Sequence, residues 1–234
     1  MAATDYRHKE HPKRCAERDF WGQVSRTVHG KPVGEDQIEM IIDAIRAGLQ
    51  LAPDDSLLDL GCGNGALASR LFDSLSGYLG VDFSPFLLGV ARRHFAAAHV
   101  RYVCQEIVSF AATSRCDCNK ALCYGVFSYL ARPAAAELLA LLYERFPRIQ
   151  QVLLGNLPDR LKAGDFYAAG GSVAPPDWQR RLDDPQEPIG IWRTRDECDE
   201  LARATGWDAE FRTMPAQFYA AHYRYDVLLT RRAG

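Results

Sequence analysis

No long hydrophobic run is present in the sequence. The longest apolar stretch, 134–143, is interrupted by Glu137, whereas a membrane-spanning helix needs about 20 apolar residues. The first 14 residues are polar and basic and lead into no apolar core, so we expect no signal peptide. Together these absences predict a cytoplasmic chain with no membrane partner.

A strong charge of either sign is also missing. The chain has 28 Lys and Arg against 30 Asp and Glu, a net charge of −2, so its overall composition does not indicate binding to nucleic acid. A small basic excess is confined to residues 1–34, with seven basic and four acidic side chains. The 234 residues suit one large domain. We expect a single domain over 35–234 and an N-terminal segment, 1–34, that covers the substrate.

Cysteine is moderately frequent, but it occurs in no familiar metal-binding pattern. The seven cysteines are an odd number and are scattered along the chain, which favours reduced thiols in a cytoplasm. Cys116, Cys118 and Cys123 lie close together, but their spacing fits no paired zinc knuckle. Small buried side chains around a strand are the simpler interpretation, and we expect no metal site.

Short apolar runs alternate with segments of helical periodicity. A helix is predicted from Glu35, where Ile38, Ile41, Ile42 and Ile45 recur at helical spacing. Further along the chain, strands are predicted at 56–60, 78–81, 101–104, 120–124 and 151–154, and helices at 66–75, 85–97 and 134–146. This alternation predicts an α/β fold with a largely parallel sheet.

The C-terminal third departs from this rhythm. Residues 157–190 are rich in proline and glycine, and such long connections are usually functional, so we expect a lid-like insertion. A capping box at Thr194 and Glu197 begins the next helix, and Gly206 ends it. Two final strands, at 210–214 and 226–230, are close enough to be antiparallel, which would reverse one strand of the sheet.

A glycine-rich loop follows the first predicted strand. Gly61, Gly63 and Gly65 come after the apolar run, where positions without side chains let a ligand approach the backbone. Gly61, Gly63 and Ala66 also fit the dinucleotide pattern Gly-x-Gly-x-x-Gly/Ala. A nicotinamide-dependent oxidoreductase therefore remains an alternative.

Two acidic residues bear on the choice of cofactor. Asp59 stands just before the glycine loop, where a carboxylate repels a pyrophosphate and attracts an ammonium group. Asp82 ends the second strand, where a carboxylate can accept the hydroxyls of a ribose. An ammonium beside one acid and a ribose beside the other fit S-adenosylmethionine better than a dinucleotide.

The ordered motifs resemble those of a known family. Segment 59–65, Asp-Leu-Gly-Cys-Gly-Asn-Gly, resembles the first motif of class I S-adenosylmethionine-dependent methyltransferases, and 78–82, Tyr-Leu-Gly-Val-Asp, resembles their second. Segments 101–106 and 120–130 are similar to the third strand and to the fourth-strand segment beneath the reactive centre. The resemblance covers about 35–230. It implies a doubly wound, Rossmann-like sheet of seven strands, mostly parallel, with the last strand antiparallel.

The resemblance also implies the cofactor, S-adenosyl-L-methionine, and the residues that contact it. Glu106 stands where the family often has an aspartate near the adenine. The cofactor-binding residues expected on this basis are Asp59, Gly61, Cys62, Gly63, Gly65, Asp82, Phe83, Glu106, Ile107 and Cys123.

Acceptor contacts are expected from the N-terminal segment, the turns after the fourth and fifth strands, and the final connection. The candidates are Trp21, Arg26, Asn156, Asp159 and Tyr219. His222 is the first candidate for a general base, followed by Tyr124 and His29.

The expected activity is methyl transfer to an oxygen or nitrogen of a small polar metabolite or sugar derivative. Segments 20–26, 156–160 and 188–192 look similar to parts of small methyltransferases of bacterial polysaccharide and natural-product pathways. The Asn/Asp-Pro-Pro-aromatic pattern of amino-methylating enzymes is absent after the fourth strand. We expect a monomer or homodimer, and a non-catalytic protein that binds S-adenosylmethionine is the second alternative.

Overall fold

The computed structural model describes residues 8–28, 30–169 and 175–233. A short antiparallel hairpin of β1 (Thr27–Val28) and β2 (Lys31–Pro32) precedes a seven-stranded sheet. The strands of this sheet are β3 (Ser56–Leu60), β4 (Gly77–Asp82), β5 (Val100–Cys104), β6 (Lys120–Tyr124), β7 (Gln151–Pro158), β8 (Trp207–Thr213) and β9 (Arg224–Arg231). Their order across the sheet is β5-β4-β3-β6-β7-β9-β8.

The direction of the strands confirms the predicted fold. Strands β3 to β7 pair in parallel, whereas β9 runs antiparallel to both β7 and β8. The chain order reverses at β3, which lies between β4 and β6. The loops after β3, β4 and β6 therefore meet at one edge, where open α/β sheets bind ligands.

Helices cover both faces of the sheet. Their bounds are α1 (Phe20–Gln23), α2 (Glu35–Leu49), α3 (Pro85–His94), α4 (Ile107–Thr113), α5 (Arg132–Arg145), α6 (Ala163–Ala169), α7 (Pro175–Trp178) and α8 (Arg195–Ala204). On one face, α2 packs with Leu57 and Leu122, and on the other α4, α5 and α8 pack with Leu58 and Ala121. Neighbouring strand residues thus enter opposite cores, as strand geometry requires. No helix within the described ranges is both long and apolar enough to cross a membrane.

The predicted helix at 66–75 is wrong. Two 3₁₀ turns, Ala68–Arg70 and Phe72–Ser74, occupy this segment instead. The apolar spacing nevertheless predicted correctly which side chains are buried: Leu71 and Leu75 both lie in the core.

A serine explains why the α-helix does not form. The Ser69 hydroxyl donates to the Ala66 carbonyl at 2.9 Å, the oxygen that the Arg70 N–H would reach in an α-helix. The Arg70 N–H bonds to the Leu67 carbonyl instead, at 3.2 Å. Local serine bonds of this kind compete with helical ones.

Several other boundaries differ from the prediction. Strand β7 runs on to Pro158 through a register shift between Leu154 and Leu157, so the first residues of 157–190 belong to the sheet. Helix α4 was not predicted because its seven residues are too few to show helical periodicity. The capping box is confirmed: Thr194 accepts from the Glu197 N–H at 3.1 Å, and Glu197 accepts from the Thr194 N–H at 2.7 Å.

The connection between β7 and α8 has its own aromatic core. Its described part contains α6 and α7, and the rings of Tyr167 and Trp178 stack with centroids 6.0 Å apart. Trp192 is fully buried against this cluster. The described part of the connection is therefore packed around its own aromatic side chains.

Candidate active site

A cavity of about 460 Å³ lies at the carboxyl ends of the parallel strands. Its walls come from the glycine loop, from the ends of β4 and β6, from β7, and from the segment that follows α1. The sequence-predicted residues that line it are Trp21, Arg26, Asp59, Gly61, Cys62, Gly63, Asp82, Phe83, Glu106, Ile107, Tyr124, Asn156 and Tyr219. Side chains from distant parts of the sequence thus meet in one cavity.

Asp82 holds the glycine loop against the end of β4. One carboxylate oxygen accepts from the Gly63 N–H at 2.9 Å and the other accepts from the Ser84 N–H at 2.8 Å. Burial raises the pKa of Asp82, and these two backbone bonds oppose the rise. Each oxygen keeps a lone pair that can accept a further bond from the cavity.

Asp59 is buried in the middle of the site. Tyr78 donates its hydroxyl to the Asp59 carboxylate at 2.7 Å. Burial raises the pKa of Asp59 to about 7, although the Tyr78 bond and the nearby Arg26 charge act in the opposite direction. A cationic group that entered the cavity beside Asp59 would favour its ionised form.

Gly61 must be a glycine for two reasons. Its φ of +85° lies in the left-handed region, which side chains with a Cβ rarely adopt. A Cβ at this position would also stand only 2.4 Å from Cγ2 of Val126. The loop backbone therefore lies directly against the wall of the cavity.

Asn64 fastens the N-terminal segment to the glycine loop. Its side-chain amide donates to the Phe20 carbonyl at 2.8 Å and to Oε1 of Gln23 at 3.0 Å. Asn64 and Gln23 are both buried. Helix α1 is thereby held over the loop, and the residues after it form part of the cavity wall.

Four buried polar atoms that line the cavity have no hydrogen-bond partner. They are Nη1 of Arg26, the Tyr124 hydroxyl, Oδ1 of Asn156 and Nε of Arg224. Buried polar atoms are nearly always satisfied in native proteins, so these four indicate a ligand or ordered water. Arg224 was not among the sequence candidates, because it is the first residue of β9 and lies outside the final connection from which acceptor contacts were expected.

Four sequence-predicted residues do not line the cavity. Gly65 and Cys123 lie behind its wall, where a Cβ on Gly65 would stand 2.8 Å from the Tyr102 hydroxyl and Cys123 is fully buried. Asp159 caps a turn by accepting from the Leu161 N–H at 3.0 Å. His222 is exposed, with its ring centroid 4.8 Å from that of Tyr223.

The placement of the candidate bases changes the catalytic interpretation. His222 has no geometric support as a base, and His29 lies outside the described residues. Burial raises the pKa of Tyr124 well above its ordinary value, so its hydroxyl stays protonated and can donate a hydrogen bond. Among the histidines that the structure describes, His8 lines the cavity, and it packs edge-on against Tyr129 with ring centroids 4.6 Å apart.

The residues present fit S-adenosylmethionine better than a dinucleotide. Asp59 and Asp82 both face the cavity and can serve an ammonium group and ribose hydroxyls. The 3₁₀ turns after the glycine loop provide no long helix whose dipole could stabilise a pyrophosphate. All seven cysteines are unpaired, and in the part of the chain that the structure describes no cluster of three or more His, Cys, Asp or Glu could hold a metal ion.

The sequence is similar to known proteins over part of its length. Residues 57–146 match a family model described as a methyltransferase domain. The ribosomal RNA small subunit methyltransferase A of Synechococcus elongatus is 37% identical over 60 residues, which are 26% of this chain and 22% of that protein. The match thus spans about a fifth of this curated relative.

Solved structures share the fold over almost the whole chain. The magnesium protoporphyrin IX methyltransferase of Synechocystis PCC 6803 with bound SAH (S-adenosylhomocysteine) has a TM-score of 0.62 at 14% identity, covering 97% of this chain and 94% of that one. The methyltransferase domain of bacterial CtHen1 has a TM-score of 0.60 at 19% identity, covering 86% and 100%. The small RNA methyltransferase HEN1 has a TM-score of 0.61 at 19% identity, covering 86% and 26%.

The family match coincides with the site. Residues 57–146 include the glycine loop, Asp59, Asp82, Glu106 and Tyr124, and the seven-stranded order with a reversed last strand is the one that the motifs imply. Residues 57–146 of this chain therefore match a methyltransferase domain, and the chain has the fold of the solved methyltransferase structures named above.

Proposed function

We propose that this chain transfers a methyl group from S-adenosylmethionine to an oxygen or nitrogen of a small polar metabolite or sugar derivative. The cofactor supplies an activated methyl group on a sulfonium, which leaves as a neutral thioether. The chain itself has to bind both molecules, align them and keep water away. The seven unpaired cysteines support a reducing compartment, the cytoplasm, as its location.

One observation carries this proposal: the cavity has two halves with different chemistry. Asp82 and Glu106 follow β4 and β5, on one side of β3, and line the half proposed for the cofactor. Tyr124 and Asn156 belong to β6 and β7, on the other side of β3, and carry unpartnered polar atoms. Asp59, at the end of β3, stands between the two halves.

In the cofactor half, Asp59 would hold the ammonium group and Asp82 the ribose hydroxyls. Glu106 lines the cavity, but its carboxylate already accepts from the N–H groups of Val108 and Ser109, at 3.1 and 2.9 Å, as the cap of α4. The adenine would therefore lie beside the backbone and the apolar side chain of Ile107 rather than on a free carboxylate.

A small acceptor is favoured over RNA, although the names of two relatives refer to RNA. The Tyr124 side chain that faces the acceptor half is only 6% exposed. Segment 21–27 and residues Pro188 and Ile189 also line the cavity, and we propose that these two segments act as its lid. The net charge of −2 provides no broad attraction for a phosphate backbone.

The function can be tested with S-adenosylmethionine labelled on its methyl group, by incubating the protein with separated small-molecule and RNA fractions of a cell extract. We expect label in the small-molecule fraction. Label in the RNA fraction alone would identify a nucleic-acid enzyme. Binding of S-adenosylhomocysteine without transfer to either fraction would favour a non-catalytic protein, and tighter binding of a nicotinamide dinucleotide would favour an oxidoreductase.

His8, which lines the cavity, is our proposed base, and the exposed His222 serves as the control. His8→Gln is expected to lower turnover about 100-fold, because a general base typically contributes about that factor or more. Affinity for S-adenosylhomocysteine should stay the same, and His222→Ala should leave both properties unchanged. Steady-state kinetics and calorimetry measure the two effects. Normal turnover of His8→Gln would exclude a base at this position.

Affinity for S-adenosylhomocysteine should depend on pH through Asp59. Because burial raises the Asp59 pKa to about 7 in the free protein, acidification protonates the carboxylate and removes the partner of the ligand ammonium. Affinity should fall with decreasing pH below about 7, by up to about tenfold per pH unit, and level off above that value. Asp59→Asn keeps an acceptor for Tyr78 but should bind weakly at every pH. An equally steep pH profile for this variant would assign the effect to another group, such as Asp82.

A further inference from the structure

Two arginines face the acceptor half of the cavity from opposite ends of the chain. The Cζ atom of Arg26, in the segment after α1, lies 5.1 Å from the centroid of the Tyr124 ring. The Cζ atom of Arg224, at the start of β9, lies 4.9 Å from the centroid of the Tyr223 ring. Both arginines line the cavity.

The pKa values of Tyr124 and Tyr219 indicate that the charges of both arginines act on the same part of the cavity. Burial raises the pKa of Tyr124 and of Tyr219, and Arg26 and Arg224 both oppose the rise in each case. The two guanidinium groups therefore lie within electrostatic reach of the same pair of hydroxyls. The Asp226 carboxylate acts on Tyr124 in the opposite direction to the two arginines.

Neither arginine has a carboxylate partner. Within the described ranges no carboxylate oxygen lies within 4.0 Å of either guanidinium, and Nη1 of Arg26 and Nε of Arg224 are buried without any hydrogen-bond acceptor. Arg224 donates to the Asn156 carbonyl, and a hydrogen bond with the Tyr223 side chain raises its pKa. Arg160, by contrast, pairs with Asp183 at 2.6 Å. Leaving buried donors unpaired costs free energy, so an acceptor group is expected from outside the chain.

Two buried acids lie within electrostatic reach of these arginines. Asp59 opposes Arg26, but it accepts from Tyr78 and burial raises its pKa to about 7. The Asp226 carboxylate lies within electrostatic reach of Arg224, and it accepts from the Asn156 N–H at 2.6 Å. Burial raises the pKa of Asp226 to about 6. Asp59 is therefore about half ionised at neutral pH, whereas Asp226 is mostly ionised and shares its charge between Arg212 and Arg224.

We propose that the methyl acceptor is a small molecule with an oxyanion, a carboxylate or phosphate, which binds between Arg26 and Arg224. The Tyr124 hydroxyl donates to the same oxyanion, and Oδ1 of Asn156 accepts from a hydroxyl or amine of the same molecule. Guanidinium groups pair well with both kinds of oxyanion, because their N–H donors match the spacing of the oxygens. This inference rests on the proposed function, because it assigns the acceptor half of the same cavity.

Three probes test the inference with the full chain saturated with S-adenosylhomocysteine. Benzoate and phenyl phosphate carry an oxyanion on a ring that suits the aromatic walls, and benzamide is the neutral counterpart of benzoate. Calorimetry should show both anions binding at least about tenfold more tightly than benzamide. Comparing benzoate with phenyl phosphate tells which oxyanion the site prefers.

Substitutions locate the binding site of the anion. Arg26→Gln and Arg224→Gln should each weaken benzoate binding about tenfold or more, whereas Arg224→Gln should leave affinity for S-adenosylhomocysteine within about twofold. Arg203→Gln is the matched control, because Arg203 is exposed and pairs with Asp199 at 2.9 Å, and it should change neither affinity. Arg224→Lys keeps the charge and should recover part of the benzoate affinity. If Arg224→Gln does not fold, Arg26→Gln and Arg224→Lys decide the question.

The inference is overturned if benzamide binds as tightly as benzoate, if neither anion binds at millimolar concentration, or if Arg26→Gln retains full affinity for benzoate. Failure of the unmodified chain to bind S-adenosylhomocysteine would contradict the proposed function instead. The two failures are therefore distinguishable in the same set of titrations.

Discussion

Asp82→Ala is expected to weaken S-adenosylhomocysteine binding by about 100-fold, close to 3 kcal/mol. The substitution removes the acceptors that hold the N–H groups of Gly63 and Ser84. It also removes the oxygens proposed to accept the ribose hydroxyls. Calorimetry measures the affinity, and a thermal melt shows whether the fold persists.

Two further variants sharpen this test. Asp82→Asn keeps one acceptor but turns an N–H donor toward one of the two backbone N–H groups, so it should lose nearly as much affinity as alanine. Asp73→Ala removes an exposed carboxylate and should bind normally. Full affinity of Asp82→Ala would contradict the assignment of the cofactor half.

Gly61→Ala is expected to lower the free energy of unfolding by about 3 kcal/mol. An alanine at this position would have to adopt a φ of +85°. Its Cβ would stand 2.4 Å from Cγ2 of Val126. Gly30 is a matched control, since its φ is +76° but nothing lies within 4 Å of an added Cβ. Gly30→Ala should therefore cost only the backbone strain, about 1 kcal/mol.

Denaturant unfolding of both variants separates crowding from strain. Combining Gly61→Ala with Val126→Ala removes the two methyl carbons that lie near the added Cβ, and it should recover part of the lost stability. Equal destabilisation by Gly61→Ala and Gly30→Ala would show that close contact with Val126 is unimportant.

Local patterns predicted most of the fold. Apolar runs and glycine turns located the strands from β3 to β7, and Thr194 with Glu197 marked the start of α8 because a capping box is complete within four residues. The 3₁₀ turns were not predicted, because helical periodicity does not take side-chain hydrogen bonds into account. Here the Ser69 hydroxyl bonds to the Ala66 carbonyl, which would accept a backbone bond in an α-helix. The continuation of β7 past Leu154 depends on pairing with β9, which lies some 70 residues further along the chain.

The two halves of the site differed in how far they could be predicted. The cofactor half rests on Asp59, the glycines and Asp82, which fall in short motifs with known geometry. The proposed acceptor half combines Arg26, Tyr124 and Arg224, which no local spacing connects. His222 illustrates the difficulty: it stands two residues before Arg224, yet the turn directs it to solvent.

The two hydrogen bonds donated by the Asn64 side chain couple movement of α1 to movement of the glycine loop. One residue of the glycine loop holds the Phe20 carbonyl and the Gln23 side chain, so any lifting of α1 must break contacts with the loop. A ligand that binds the loop and needs α1 in place therefore favours the closed position of α1. By reciprocity, a molecule that needs the same position of α1 should raise the affinity of the loop for that ligand by the same factor.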